Sequence, residues 1–129
     1  MTQDTQQRTA PNIAVVDDDD SVRGALESLL RSSGYKTRTY CSALEFLAAN
    51  VSMQTDCLVS DIQMPGMSGL EMFEQLIATG IHIPTILITA YPAAAPPLGI
   101  HPELIACLPK PCDADKLLNC IEAALTMHH

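Results

Sequence analysis

A chain of 129 residues fits one compact domain, and a hydrophobic fraction of 47% is enough for a real core. Tryptophan is absent and aromatics make up only 4%, so that core has to be aliphatic, built from Leu, Ile, Val, Ala and Met. A net charge of −8 argues against a nucleic-acid surface, which needs Lys and Arg for its phosphate contacts, and suits a cation or a basic partner better.

Met1–Pro11 is polar and has no apolar targeting core, so a disordered lead-in at 1–11 is expected before a domain at 12–125, with 126–129 as a tail. Asn12–Val16 reads as a short apolar strand that stops at four consecutive aspartates, Asp17–Asp20, with Asp20 expected as a helix cap. From Ser21 the spacing turns helical, with Val22, Ala25, Leu26, Leu29 and Leu30 on one face and Gly34 at the end. Lys36–Tyr40 alternates as a second strand. Ser42 and Glu45 have capping-box spacing and open a short helix through about Ala49.

Cys57–Ser60 is apolar on both faces, which marks a central strand, and it ends at Asp61. After a turn at Met64–Ser68, Ser68 and Glu71 form a second capping box. Leu70, Phe73, Leu76 and Ile77 give that helix its apolar face, and Gly80 closes it. Pro84–Thr89 is a fourth strand. Where the alternation calls for a helix, Tyr91–Pro102 carries Pro92, Pro96, Pro97 and Pro102. Interior proline removes a backbone donor and costs about 3 kcal/mol, so this fourth helix should be short, distorted or absent. Leu104–Leu108 is the fifth strand, followed by Lys110-Pro111. Asp113 caps a last helix with Leu117, Leu118, Ile121 and Leu125 inward.

Strands that alternate with helices specify an α/β fold, a parallel sheet covered on both faces. No apolar run approaches the roughly 18 residues that span a bilayer. Five cysteines, an odd number without a signal peptide, point to reduced thiols in a cytoplasmic setting. Cys107 and Cys112 lack the further ligands a zinc site needs, and Cys57 and Cys107 read as small buried hydrophobes. His82 and His101 read as loop or surface residues, and Met64 and Met67 as loop packing.

In a doubly wound sheet, ligands sit beyond the carboxyl ends of the strands. Here those ends are Asp17-Asp18-Asp19, Asp61, Thr89 and Leu108-Pro109-Lys110. Three carboxylates brought together stay ionised only with a cation, or else one takes a proton. Hard oxygen ligands in small number suit Mg²⁺. Beside Lys110, such a cluster leaves room for a phosphoryl group. Asp61 could attack that group to give an acyl phosphate, with Thr89 donating a hydrogen bond to one of its oxygens.

These residues resemble the receiver domains of two-component response regulators over about Asn12 to Leu125. The matching stretches are Val-Val-Asp-Asp-Asp (15–19), Asp-Ile-Gln-Met-Pro-Gly-Met-Ser-Gly (61–69), Ile-Thr-Ala (88–90) and Lys-Pro (110–111). Val22 to Leu47 looks like the FixJ-type branch, whose members usually carry a C-terminal helix-turn-helix. The resemblance implies a flavodoxin-like five-stranded sheet of order 2-1-3-4-5. It implies Asp61 as phosphoacceptor and Mg²⁺ held by Asp18, Asp61, the Gln63 carbonyl and, through water, Asp17. It further implies Thr89 as the switch hydroxyl, Lys110 as the phosphate-binding lysine with a cis bond to Pro111, and a sensor histidine kinase as donor. The domain would act as a signalling switch rather than an enzyme. It would address an output domain or downstream protein, with no contact of its own to nucleic acid or membrane.

Two departures concern the readout. The family places Phe or Tyr where this chain has Cys107, and its Gly-Ala is replaced by Glu103-Leu104. Cys107, together with the prolines of the fourth-helix segment, keeps open a pseudo-receiver, a binding module that no longer signals through phosphate. Two enzyme or carrier readings fit less well. An aspartate-nucleophile phosphatase wants a second acid two residues after its nucleophile, and here that residue is Gln63. A flavin carrier wants a hydroxyl-rich phosphate loop where this chain has four aspartates.

Overall fold

The computed structural model describes residues 10–49, 54–97 and 99–127. The lead-in up to Thr9 and the tail residues His128 and His129 lie outside the described residues. Five parallel strands run in the order β2-β1-β3-β4-β5: β1 (Asn12–Val16), β2 (Lys36–Tyr40), β3 (Cys57–Asp61), β4 (Thr85–Thr89) and β5 (Leu104–Pro109). Among the described residues, four α-helices accompany them: α1 (Asp20–Ser32), α2 (Ala43–Ala48), α3 (Gly69–Ala78) and α4 (Ala114–Met127). Helix α4 thus continues two residues into the stretch read from the sequence as a tail.

The alternation of side chains along the strands fixes the two layers. Ile13, Val15, Val59, Ile86 and Ile88 face Leu26 and Leu30 of α1 and Leu117, Ile121 and Ala124 of α4. Ala14, Val16 and Leu58 face the other way, against Ala43 and Phe46 of α2 and Met72 and Leu76 of α3. All five residues of β3 and of β4 are buried, as central strands require. On α1, Ala25 departs from the expected inward face and is exposed.

Helix starts show where sequence signals held and where they slipped. Ser68 and Glu71 form the full reciprocal capping box of α3. Ser42 caps α2, but the Glu45 carboxylate reaches past it to accept from the Cys41 N–H at 2.7 Å. Asp19, not Asp20, caps α1, accepting from the backbone N–H groups of Ser21 and Val22. Asp113 caps α4 through Lys116 N–H at 3.0 Å.

The proline-rich stretch forms a single 3₁₀ turn at Pro92–Ala94 in place of a helix. Ala95 is already extended, with ψ 137°, as a residue before proline prefers. His101 is less peripheral than the sequence suggests: its ring packs edge-on to Phe73 and stacks on His82. No helix among the described residues is long and apolar enough to cross a membrane.

Candidate functional site

Because the sheet is parallel, every strand delivers its C-terminal residue to the same edge. The register completes the alignment: Val16 lies beside Ser60, Asp61 beside Ile88, and Thr89 beside Pro109. The next residue after β1 is Asp17, and the next after β5 is Lys110.

At this edge the carboxylates of Asp17, Asp18 and Asp61 each bring an oxygen within 4.8 Å of the others. Lys110 Nζ lies 3.2 Å from Asp17 Oδ2 and 3.3 Å from Asp61 Oδ2. Asp17 and Asp61 are 1% and 4% exposed, so the two acids share one ammonium almost without solvent. Asp61 Oδ1 is buried with no hydrogen-bond partner. A buried, unpartnered carboxylate oxygen is costly and points to a ligand. The donor set, three carboxylates and no soft ligand, fits a hard divalent cation such as Mg²⁺.

The electrostatics carry the strain of this arrangement. Burial first, and then the neighbouring Asp17, push the Asp61 carboxyl above the ordinary aspartate value, while Lys110 and the Gln63 backbone pull the other way. Burial works against the Lys110 ammonium, but Asp17 and Asp61 outweigh it and hold its pKa above the usual lysine range.

Four identical residues in a row acquire four different settings. Asp17 is buried, its N–H bonded to Tyr40 O at 3.1 Å and its Oδ1 accepting from Asp19 N–H at 2.9 Å. Asp18 is exposed and makes no hydrogen bond or ion pair among the described residues. Asp19 caps α1, and Asp20 pairs with Arg23.

Thr89 is brought to the same edge but is turned to other partners. Its hydroxyl donates to Gln63 Oε1 at 2.8 Å and accepts from Tyr91 N–H at 2.9 Å, with Tyr91 O at 3.1 Å. Gln63 therefore enters through its side chain, a contact that the sequence does not announce. The Lys110–Pro111 peptide is cis, as the resemblance implies. Cys107 is partly buried beside the cluster of Ile62, Phe73, Leu87 and Leu104, and burial raises its thiol pKa. Cys57 is pushed up to about 12 by burial, so both remain neutral thiols.

Two residues of this edge escaped the sequence reading as contributors. A Cβ on Gly69 would lie 2.1 Å from Asp61 O and 2.8 Å from Ser60 Oγ, so only glycine lets α3 start directly against the strand end. Its N–H donates to Ile62 O at 2.9 Å. The available signal was a glycine at the first helical position after the Ser68 cap, where better helix formers exist. Arg23 donates from Nη1 to Asp17 O at 2.7 Å, a backbone contact that no spacing rule reveals.

Comparison with known proteins agrees with this geometry. Residues 13–122 match the family model for the response regulator receiver domain. The transcriptional regulatory protein FixJ of Azorhizobium caulinodans is 37% identical over 116 residues, 88% of this chain and 54% of that protein. The structure of response regulator StyR superposes with a TM-score of 0.82 at 42% identity, covering 92% of this chain and 60% of that one. Response regulator TrrA from Thermotoga maritima, solved in complex with Mg(2+)-BeF, gives a TM-score of 0.79 at 30% identity, covering 89% and 99%. The chain thus spans little more than half the length of the FixJ and StyR chains. A parallel sheet of order 2-1-3-4-5, an acid trio with a lysine at its carboxyl edge and a family match along most of its length agree: the chain belongs to the response-regulator receiver domains.

Proposed function

We propose that this receiver domain is phosphorylated on Asp61 and that the phosphoryl group is what switches it. The observation that carries this is the buried Asp61 Oδ1, free of hydrogen bonds, in a carboxylate whose other oxygen faces Lys110 at 3.3 Å. Asp61 attacks phosphorus, the donor's bond to the phosphoryl group breaks, and an acyl phosphate forms. Asp17, Asp18, Asp61 and the Gln63 carbonyl would hold Mg²⁺. When bound, the cation supplies the charge neutralisation that three acids and a phosphoryl group require. The TrrA complex with Mg(2+)-BeF supports this assignment by likeness. Lys110 stays fully charged next to the reacting oxygens and offsets the charge developing on them.

Thr89 is the switch hydroxyl in this reading. To donate to a phosphoryl oxygen it must give up Gln63 Oε1, and a movement toward Asp61 also draws on its bonds with Tyr91. Tyr91 opens the 3₁₀ turn. The change therefore passes into the 91–95 backbone rather than through an aromatic ring, since Cys107 occupies the ring's place. The donor is a sensor histidine kinase and the target an output domain or downstream protein, consistent with the regulatory name of the FixJ relative. Five free cysteines suit a reducing, cytoplasmic setting. The pseudo-receiver reading gains no support from a site in which the acids and Lys110 converge.

Incubation with acetyl phosphate and Mg²⁺ should add one phosphoryl group per chain, and Asp61→Asn should abolish it. Stoichiometric labelling of the Asn variant would overturn the assignment.

A further inference from the structure

Of the three clustered acids, Asp18 alone is exposed and, among the described residues, without a hydrogen-bond or ion-pair partner. An exposed aspartate in a loop has its own backbone and side-chain freedom, and fixing it at the moment of binding weakens the binding. In this loop the backbone part of that freedom is already restricted, because both peptide units flanking Asp18 are pinned. The unit before it is held at its oxygen, Asp17 O, by Arg23 Nη1 at 2.7 Å. The unit after it is held at its N–H, which Asp19 donates to Asp17 Oδ1 at 2.9 Å. Asp17 is in turn anchored to β2 through Tyr40 O at 3.1 Å.

We infer that Arg23 is a positioning residue that presents the Asp18 carboxylate to the cation, acting through the Asp17–Asp18 peptide and touching no reacting atom. The inference rests on the metal reading given above. Arginine is suited to this place by its fork. One arm takes the Asp17 carbonyl while the other pairs with Asp20, three residues back on the first turn of α1. The pairing with Asp20 also offsets a positive charge that would otherwise repel the cation. The Arg23 side chain is only 19% exposed, so the fork is held against the protein rather than free in solvent. A contact that orients a metal ligand from behind typically alters metal affinity by about 10–100-fold.

The test is a Mg²⁺ titration of the whole chain, followed by melting temperature and by amide NMR shifts at residues 17–20. Arg23→Ala should raise the half-saturating Mg²⁺ concentration by about tenfold, with the response at saturation retained. Arg23→Lys keeps the charge but can serve only one of the two acceptors, and should fall between native and alanine. Asp18→Asn should lose most of the response. Unchanged or tighter binding in Arg23→Ala, beside a normal native response, would overturn this inference alone. If the alanine variant does not fold, a lysine variant with native affinity would overturn it. A native chain with no saturable Mg²⁺ response would instead overturn the metal reading itself, and this inference with it.

Discussion

Asp61 lies in surroundings that disfavour its charge. Burial and Asp17 raise its folded pKa above the unfolded value, near 3.9, so the folded state favours the protonated form. The sign follows from proton linkage. A raised carboxyl pKa contributes stability below the unfolded value and loses it as pH rises through the folded value. At pH 7, without a cation, the Asp61 charge is therefore a cost. Asp61→Asn should melt higher than the native domain at pH 7, because it removes a charge that burial and Asp17 disfavour. The gain should shrink as pH is lowered from 7, as the native carboxyl takes up its proton. Thermal melts of both proteins across that range check it, and a difference independent of pH would refute the electrostatic account.

Two elements meet the phosphoryl edge in contrasting ways. Helix α3 is fixed: Ser68 and Glu71 seal its start, and Gly69 seats that start against the Asp61 carbonyl with no room for a Cβ. Gly69→Ala forces backbone to move at the acceptor itself. It should destabilise the domain by about 1–3 kcal/mol in denaturant unfolding and slow acetyl-phosphate labelling as well. Native stability would show that α3 can shift freely. The segment after β4 is the opposite case, a single 3₁₀ turn tied back mainly by the Thr89 hydroxyl. Beryllofluoride with Mg²⁺ should therefore shift amide resonances of residues 89–95, and Thr89→Ala should suppress those shifts while leaving those at the acid cluster. A silent 91–95 backbone in the native domain would refute this route.

At the scale of the molecule, topology does the collecting. The order β2-β1-β3-β4-β5 places the change of direction beside β1 and β3, where doubly wound sheets bind ligands. Asp17 and Asp61 follow from those two neighbouring strands. Asp17, Asp18 and Asp61 gather at the carboxyl edge, while Arg31, Lys36 and Arg38 lie by the outer strand β2. Lysine and arginine on an edge strand discourage pairing with another sheet. The matched span is about half of the FixJ relative, so whatever its remaining length does is carried by structure outside this domain.

The sequence by itself determined the alternating elements, the central strands and the residues at their ends, because periodicity, caps and prolines act locally. It placed all five strands to within about one residue and foresaw that four prolines would not leave a regular helix. It also named Asp17, Asp18, Asp61, Thr89 and Lys110 as sharing one edge, since a parallel sheet leaves its strand ends no other place. The tertiary structure alone decided which aspartate caps α1 and which stays free, because four identical side chains differ only in what surrounds them. It alone paired Thr89 with Gln63 across a separation of 26 residues and laid Arg23 on a backbone carbonyl. Neither contact has a period or a spacing to read. Each exists because folding brings a side chain of one element beside a group of the neighbouring loop at the same edge, where distance and direction set the hydrogen bond.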